Sequence, residues 1–180
     1  MTIAEERALL SRAQSSAAGF GELFDVYYDR IYAYAYRRVG SREQAEDTTA
    51  AVFEDALRGI KRLRWQGKPL AAWLYRIAAR RVADYYRARH AGWRDVPLDE
   101  SAPISSDGIG DALERDDEHA AVHRGLQKLG ASEREIIRLV YFDELDGGTI
   151  ASMLNCTTNS VYVRTHRALK KLEAILCDNP

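Results

Sequence analysis

The chain has 180 residues, of which 46% are hydrophobic and 29% charged, with a net charge of −1. That balance suits one domain or two small ones and excludes a wholly disordered chain. The two cysteines, Cys156 and Cys177, are too few for a disulfide framework or a cysteine zinc cluster, and no apolar run reaches the length of a membrane span. Met1 to Arg12 carries acids and no signal-peptide core, so the cytoplasm is the expected location.

In chain order, Ala4 to Gln14 predicts a short helix built on Leu9 and Leu10, broken by Ser15 to Gly19. Phe20 to Val39 predicts a long helix whose inner stripe is Phe20, Leu23, Phe24, Tyr27, Ile31, Tyr34 and Ala35. Gly40-Ser41 ends it, and Ser41 with Gln44 reads as a capping box for the next helix. That helix runs to about Arg58, with Ala45, Val52, Phe53, Ala56 and Leu57 inward and Glu43, Glu46, Asp47, Glu54 and Asp55 acidic. Gly59 to Pro69 is a basic loop holding Trp65 and Gly67.

Leu70 to Arg89, beginning just after Pro69, is the helix on which the first half turns. Leu70, Trp73, Leu74, Ile77 and Ala78 make its apolar stripe, while Arg76, Arg80 and Arg87 fall on another side beside Tyr75, Ala79 and Tyr86. Between Arg58 and Arg94 the only acid is Asp84, and Trp65, Trp73, Tyr75, Tyr85, Tyr86 and Trp93 lie among the cations. Cations on one face neutralise phosphates, and aromatic rings stack on unpaired bases. A solvated basic helix with its aromatics in the core would look the same at this level.

His90 to Asp111 is rich in Gly, Pro and Ser, and from Asp95 to Glu118 Arg115 is the only base among many acids. This composition predicts a flexible acidic linker. Beyond it, Asp111 to Leu129 is helical, and Ser132 with Glu135 reads as a capping box for a helix carrying Ile136, Ile137, Leu139, Val140 and Phe142. Asp146-Gly147-Gly148 is a turn, Thr149 to Leu154 a short helix, and Thr157 can cap a helix from Thr158 to about Leu176.

Gly148 to Arg167 has helix-turn-helix spacing. Ala151 is small where two helices would cross, Asn155 sits where the turn needs a positive φ, and Val161 packs the second helix on the first. Asn159, Tyr162, Arg164, His166 and Arg167 would face outward, followed by Lys170 and Lys171, placing base-reading side chains at one end and cations for phosphates at the other. An ordinary helical hairpin is the plainer alternative.

In this order and spacing the motifs resemble the extracytoplasmic-function (ECF) sigma factors, the smallest class of the sigma-70 family of bacterial RNA polymerase, from about Phe20 to Leu172. Phe20-Gly21-Glu22-Leu23-Phe24 resembles the opening of the family's first conserved region. Ala45-Glu46-Asp47 with Val52-Phe53 resembles the segment that docks on the polymerase clamp. Trp73-Leu74-Tyr75-Arg76-Ile77-Ala78 with Asp84-Tyr85 and Arg87 resembles the promoter −10 helix, and Ile150-Ala151, Val161, His166-Arg167-Ala168 and Leu172 the −35 helix-turn-helix. The chain departs from the family pattern at Ala50, Ala51, Arg80, Asn155 and Thr165, and at Gly147-Gly148-Thr149.

The resemblance implies an all-α fold of two small helical domains: an N-terminal helical extension over 1–19, a region 2-like domain over 20–90, a linker over 91–111 and a region 4-like domain over 112–178. It implies an alternative sigma factor that binds core polymerase, reads the −35 element and melts the −10 element. Core contacts would come from Glu46, Asp47, Ala50, Phe53, Glu54 and Leu57. The −10 contacts would come from Arg62, Arg64, Trp65, Lys68, Tyr75, Arg76, Ala79, Arg80 and Arg87, and the −35 contacts from Thr158, Asn159, Tyr162, Arg164, His166, Arg167 and Lys170. The implied partners are the clamp of the β′ subunit, the flap of the β subunit and promoter DNA, with an anti-sigma factor as a further candidate and no membrane. The acidic linker would either follow the RNA exit path or act as a solvated tether. No catalytic residue, cofactor or metal is expected: His119 and His123 have i, i+4 spacing but no third ligand, and no nucleophile elbow or phosphate loop accompanies the Ser, His and Asp residues. The rival from another class is a helix-turn-helix DNA-binding regulator, or a polymerase-binding antagonist, that does not initiate.

Overall fold

The computed structural model describes residues 1–89 and 117–177, and the described residues contain helices and no strands. The expected linker over 91–111 lies outside them, as does the side chain of His119.

The first unit has helices α1 (Ile3–Ser15), α2 (Ala17–Val39), α3 (Arg42–Ile60) and α4 (Leu70–Arg89). α1 starts on a reciprocal cap, in which the Glu5 carboxylate accepts from the Thr2 N–H at 2.7 Å and the Thr2 hydroxyl accepts from the Glu5 N–H at 3.2 Å. The expected break over Ser15 to Gly19 narrows to Ser16, which is extended and whose hydroxyl accepts from the Gly19 N–H at 3.0 Å. Gly19 has to be glycine, because a Cβ there would lie 2.1 Å from the Arg12 carbonyl oxygen. α1 therefore lies tight on α2, and its Leu9, Leu10 and Ala13 join the same core as Leu23, Ile31, Val52, Ile60, Leu74 and Val82. Each such apolar side chain contributes about 1.5–3 kcal/mol by leaving water.

α2 ends at Gly40 with a left-handed φ of 71°. Ser41 is the N-cap of α3 as expected, but its side chain makes no capping bond, and Gln44 instead accepts a hydrogen bond from the Tyr85 hydroxyl. The expected box fails because a tertiary donor on α4 claims Gln44.

The second unit has α5 (Asp117–Lys128), α6 (Ala131–Ile137), a π-helical stretch Arg138–Phe142, α7 (Gly147–Met153) and α8 (Thr158–Cys177). α6 starts two residues earlier than expected: Gly130 is the N-cap and its N–H donates to Glu133 at 2.9 Å, so Ser132 and Glu135 are interior and form no box. α7 likewise begins at Gly147, where a turn was expected. Leu126, Leu129, Ile136, Leu139, Ile150, Val161, Ala168 and Leu172 fill this unit's core.

The two units meet along α2 and α4 on one side and the π stretch and α7 on the other. At the centre of the seam Arg38 is 1% exposed. Its guanidinium reaches Asp143 at 2.9 Å and Glu135 at 2.7 Å and lies 3.5 Å from the centre of the Tyr34 ring. Arg37 adds a bond to Asp143 at 2.7 Å. Burial works against the charge on Arg38, but Glu135, Tyr34 and Asp143 together hold its pKa above the ordinary value.

Candidate nucleic-acid interface

The first candidate surface is the loop 61–69 with the start of α4. The chain leaves α3 through a tight turn, with Arg62 N–H donating to the Gly59 carbonyl at 3.0 Å and Leu63 N–H to that of Ile60 at 3.1 Å. The side-chain amide of Gln14 on α1 donates to the carbonyls of Ile60 at 2.8 Å and Leu63 at 2.7 Å. At the far end the Leu70 N–H, the first of α4, donates to the buried Glu6 carboxylate at 3.1 Å, and Glu6 also accepts from the Tyr27 hydroxyl at 3.2 Å. Between them lies a cleft of about 390 Å³ lined by Arg62, Trp65, Lys68, Trp73, Arg76 and Leu10 among others. Arg62, Arg64 and Lys68 are exposed and make no ion pair among the described residues, and Trp65 is half-buried. Cations with an aromatic ring beside a cleft suit an unpaired nucleotide.

The expected α4 residues divide. Arg76, Arg80 and Arg87 do lie outside the apolar stripe, but each has a partner: Arg76 donates to the Ser152 carbonyl of α7 at 2.8 Å, Arg80 is 3.7 Å from Asp55, and Arg87 bonds Asp84. Tyr75 is not on an open face. It is 1% exposed, edge-on to Tyr34 with centroids 5.2 Å apart, and burial pushes its hydroxyl up to about 12. Ala79 is half-buried, and Trp73, expected inside, is only partly so. Arg81, inside the cation cluster, is held by Asp55 at 2.6 Å.

The second surface is the outer face of α8. Asp146 caps α7, its carboxylate accepting from the N–H groups of Gly148 and Thr149 at 2.9 Å each and from the Thr149 hydroxyl at 2.6 Å. Asn155 has the expected positive φ, 50°, and the Thr157 hydroxyl accepts from the Ser160 N–H at 3.1 Å, so the expected cap of α8 is present. Val161, Thr165, Ala168 and Leu172 turn inward, Thr165 satisfying its hydroxyl on the Val161 carbonyl at 2.9 Å. Thr158, Asn159, Tyr162, Arg164, His166, Arg167 and Lys170 are all exposed, Tyr162 at 64%. Lys171 is tied to Glu133 at 2.7 Å.

The third surface is the acidic face of α3. Glu46, Asp47, Ala50, Glu54 and Leu57 are exposed; Leu57, expected inward from the apolar period, instead stands 54% exposed among carboxylates, one residue past buried Ala56. Phe53 is not among them: it is buried, its ring 4.7 Å from that of Phe24. Tyr28, Tyr32 and Tyr36 continue an aromatic ladder up α2 beside it, with centroids 6.2 and 6.0 Å apart. Among the described residues no group of His, Cys, Asp and Glu is arranged to hold a metal.

Residues 23–91 match the family described as Sigma-70 region 2, and residues 119–172 that described as Sigma-70, region 4. The ECF RNA polymerase sigma factor SigW of Bacillus subtilis is 31% identical over 170 residues, covering 88% of this chain and 89% of that protein. The ECF RNA polymerase sigma factor BldN of Streptomyces coelicolor is 30% identical over 177 residues, covering 95% of this chain, and this chain spans 66% of that protein's length. Among solved structures, CnrH in complex with the cytosolic domain of CnrY superposes with a TM-score of 0.66 at 22% identity, over 97% of this chain and 99% of that one. The sigma factor RpoE in complex with the anti-sigma factor NepR from Bartonella quintana gives 0.59 at 21% identity, over 89% and 98%. These two show the same fold.

Proposed function

The chain belongs to the ECF group of the sigma-70 family, and from that premise we propose how its surfaces divide the work of an alternative sigma factor directing promoter-specific initiation. The acidic face of α3, with Leu57 at its centre, docks on the clamp of the polymerase β′ subunit. The cleft under the loop 61–69, with Arg62, Arg64, Trp65 and Lys68, receives the unpaired strand of the −10 element. Unstacking a base costs a few kcal/mol, and stacking on Trp65 with phosphate contacts from the cations offsets it. The outer face of α8 enters the major groove of the −35 duplex, Thr158, Asn159 and Tyr162 near base edges and Arg164, Arg167 and Lys170 on phosphates. The protein works where core polymerase is, in the cytoplasm, and no helix among the described residues is long and apolar enough to cross a membrane. It supplies positioning and binding, and the polymerase supplies the chemistry.

The observation that carries this division is the exposed outer face of α8 behind a fully capped turn, with Arg164, Arg167 and Lys170 in no ion pair among the described residues, in a chain whose other basic surface borders a cleft. An anti-sigma factor is the further partner we propose, because the fold matches that of the sigma factor RpoE solved with the anti-sigma factor NepR. Run-off transcription with purified core polymerase on promoters selected from random DNA tests the reading. A promoter-specific product supports it, and DNA binding without product leaves a repressor or antagonist.

A further inference from the structure

We propose that α1 is a strut that sets the shape of the loop 61–69, with Gln14 and Glu6 as its positioning residues. This rests on the reading that the loop receives an unpaired base. α1 lies outside the stretch matched as region 2, which starts at residue 23.

Both ends of the loop are tied to this one helix. The single Gln14 amide spends both its hydrogens on Ile60 and Leu63, the carbonyls that frame the exit from α3. The Glu6 carboxylate takes the first N–H of α4 and is itself fixed by Tyr27, whose hydroxyl burial keeps protonated and donating. A carboxylate at that position also complements the positive end of the α4 dipole. Between Arg64 and Lys68 the backbone makes no hydrogen bond to other backbone among the described residues, so the loop does not hold its own shape. Its aromatic residue leans on the strut: Trp65 shares a shallow pocket with Ile3, Ala4, Arg7, Ala8 and Ser11, and Leu10 forms part of the cleft wall. A shift of α1 along its axis would therefore move both loop ends and Trp65 together.

The plainer reading is that α1 only adds core through Leu9, Leu10 and Ala13. Gln14→Glu separates the two. It keeps the size and the helix preference, leaves that core untouched, and turns a double donor into an acceptor facing two carbonyls. Gln14→Lys restores a donor. Holoenzyme assembled from core polymerase and each full-length variant is placed on a selected promoter, as intact duplex and with its −10 region pre-opened by mismatches. The expected result for Gln14→Glu is a roughly tenfold loss of opening, read by permanganate, on the duplex. On the pre-opened promoter it should weaken discrimination among the four bases at the −10 positions. Gln14→Lys should recover both, with −35 binding and thermal melting of the free chain unchanged. Glu6→Gln, which keeps an acceptor for Leu70, should be tolerated, and Glu6→Leu should behave like Gln14→Glu. If Gln14→Glu opens and discriminates normally, or loses melting temperature and −35 binding in step and is not recovered by lysine, the strut is overturned. Trp65→Ala and Lys68→Ala are the control: if they alter base discrimination while Gln14→Glu does not, only the strut falls, and if they do not either, the pocket falls with it.

Discussion

Asp146 and the α8 cations show what single side chains contribute. Asp146 accepts three hydrogen bonds at the start of α7. Partial burial raises its pKa, but the bonds from Thr149 and Gly148 outweigh that and hold it below the ordinary carboxylate value. A folded-state pKa below the unfolded one means stability that is present above the ordinary carboxylate range and lost as pH falls through it. Asp146→Ala should therefore lower stability by about 0.5–2 kcal/mol near neutral pH, and by less in acid, in melts run across pH. On α8, Arg164 and Arg167 are exposed and bound to no acid among the described residues, so no acid of the two described units competes for them. Replacing both with alanine should weaken −35 binding and reduce the slope of log affinity against log salt by about 2 if each neutralises a phosphate. If affinity and slope both stay as they were, these residues are not on the DNA.

At the scale of elements, α4 joins the candidate −10 surface to the rest of the first unit. Asp55 on α3 is held below its ordinary pKa chiefly by the hydrogen bond from Arg81, with burial opposing and the charges of Arg81, Arg80 and Arg58 adding. By the same sign, the α3–α4 contact should weaken as pH falls through the carboxylate range, and Asp55→Asn should remove that acid limb from the melting curve. The Arg76→Ala, Arg80→Ala pair should still bind core polymerase but open promoters poorly, and a normal permanganate footprint would clear this face of any part in melting. The start of α4 was legible, since Pro69 marks it and a 3.6-residue apolar period follows, and the helix continues to Arg89, the last described residue of this unit. Its faces were less so. Periodicity sorts residues by one core, whereas Tyr75 is covered by Tyr34 and the neighbouring seam, and Arg76 is claimed by Ser152 from a distant stretch of chain. Gln44 was misplaced for the same reason, because Tyr85 reaches it from α4, whereas periodicity put Phe53 inward correctly and only the family resemblance offered it as a polymerase contact. The α8 face was legible because the second helix of a helix-turn-helix is covered on one side only. Gln14 and Glu6 gave no signal, since a polar residue in a short helix does not announce which distant carbonyl or amide it will meet.

For the whole molecule the decisive feature is the seam between the two units. It places Arg76, on one proposed DNA surface, against α7, the first helix of the element that presents the other. On the proposed reading the two surfaces serve separate parts of one promoter, and we expect the packed pair to part there, because Arg76 spends its guanidinium on the Ser152 carbonyl while the units are joined. What holds it is a charged cluster rather than apolar contact alone: Arg38 and Asp143 are both fully buried, with Arg37 and Glu135 at the edge. Bringing such charges out of water is costly, and their attraction repays it only while every partner is in place. Arg138 sits nearby with its Nε unpartnered among the described residues; burial pulls its pKa down and the charge of Glu135 works against that, so the seam carries a second buried cation. A seam of this kind should be sensitive to the loss of one partner and far less so to the loss of all. Asp143→Asn leaves Arg38 buried against a neutral amide and should cost about 3–5 kcal/mol of the contact. Because most of the helix packing lies within each unit, that cost should appear as separation, with a larger radius of gyration in solution scattering and helix content retained. Replacing Arg38 by Met, Asp143 by Leu and Glu135 by Gln together removes the cluster's buried charges instead of orphaning them, leaves only the part-exposed Arg37 of its members, and should restore the compact radius. If Asp143→Asn leaves the radius unchanged while helix content is also unchanged, the ion cluster does not hold the units together and the apolar part of the seam does.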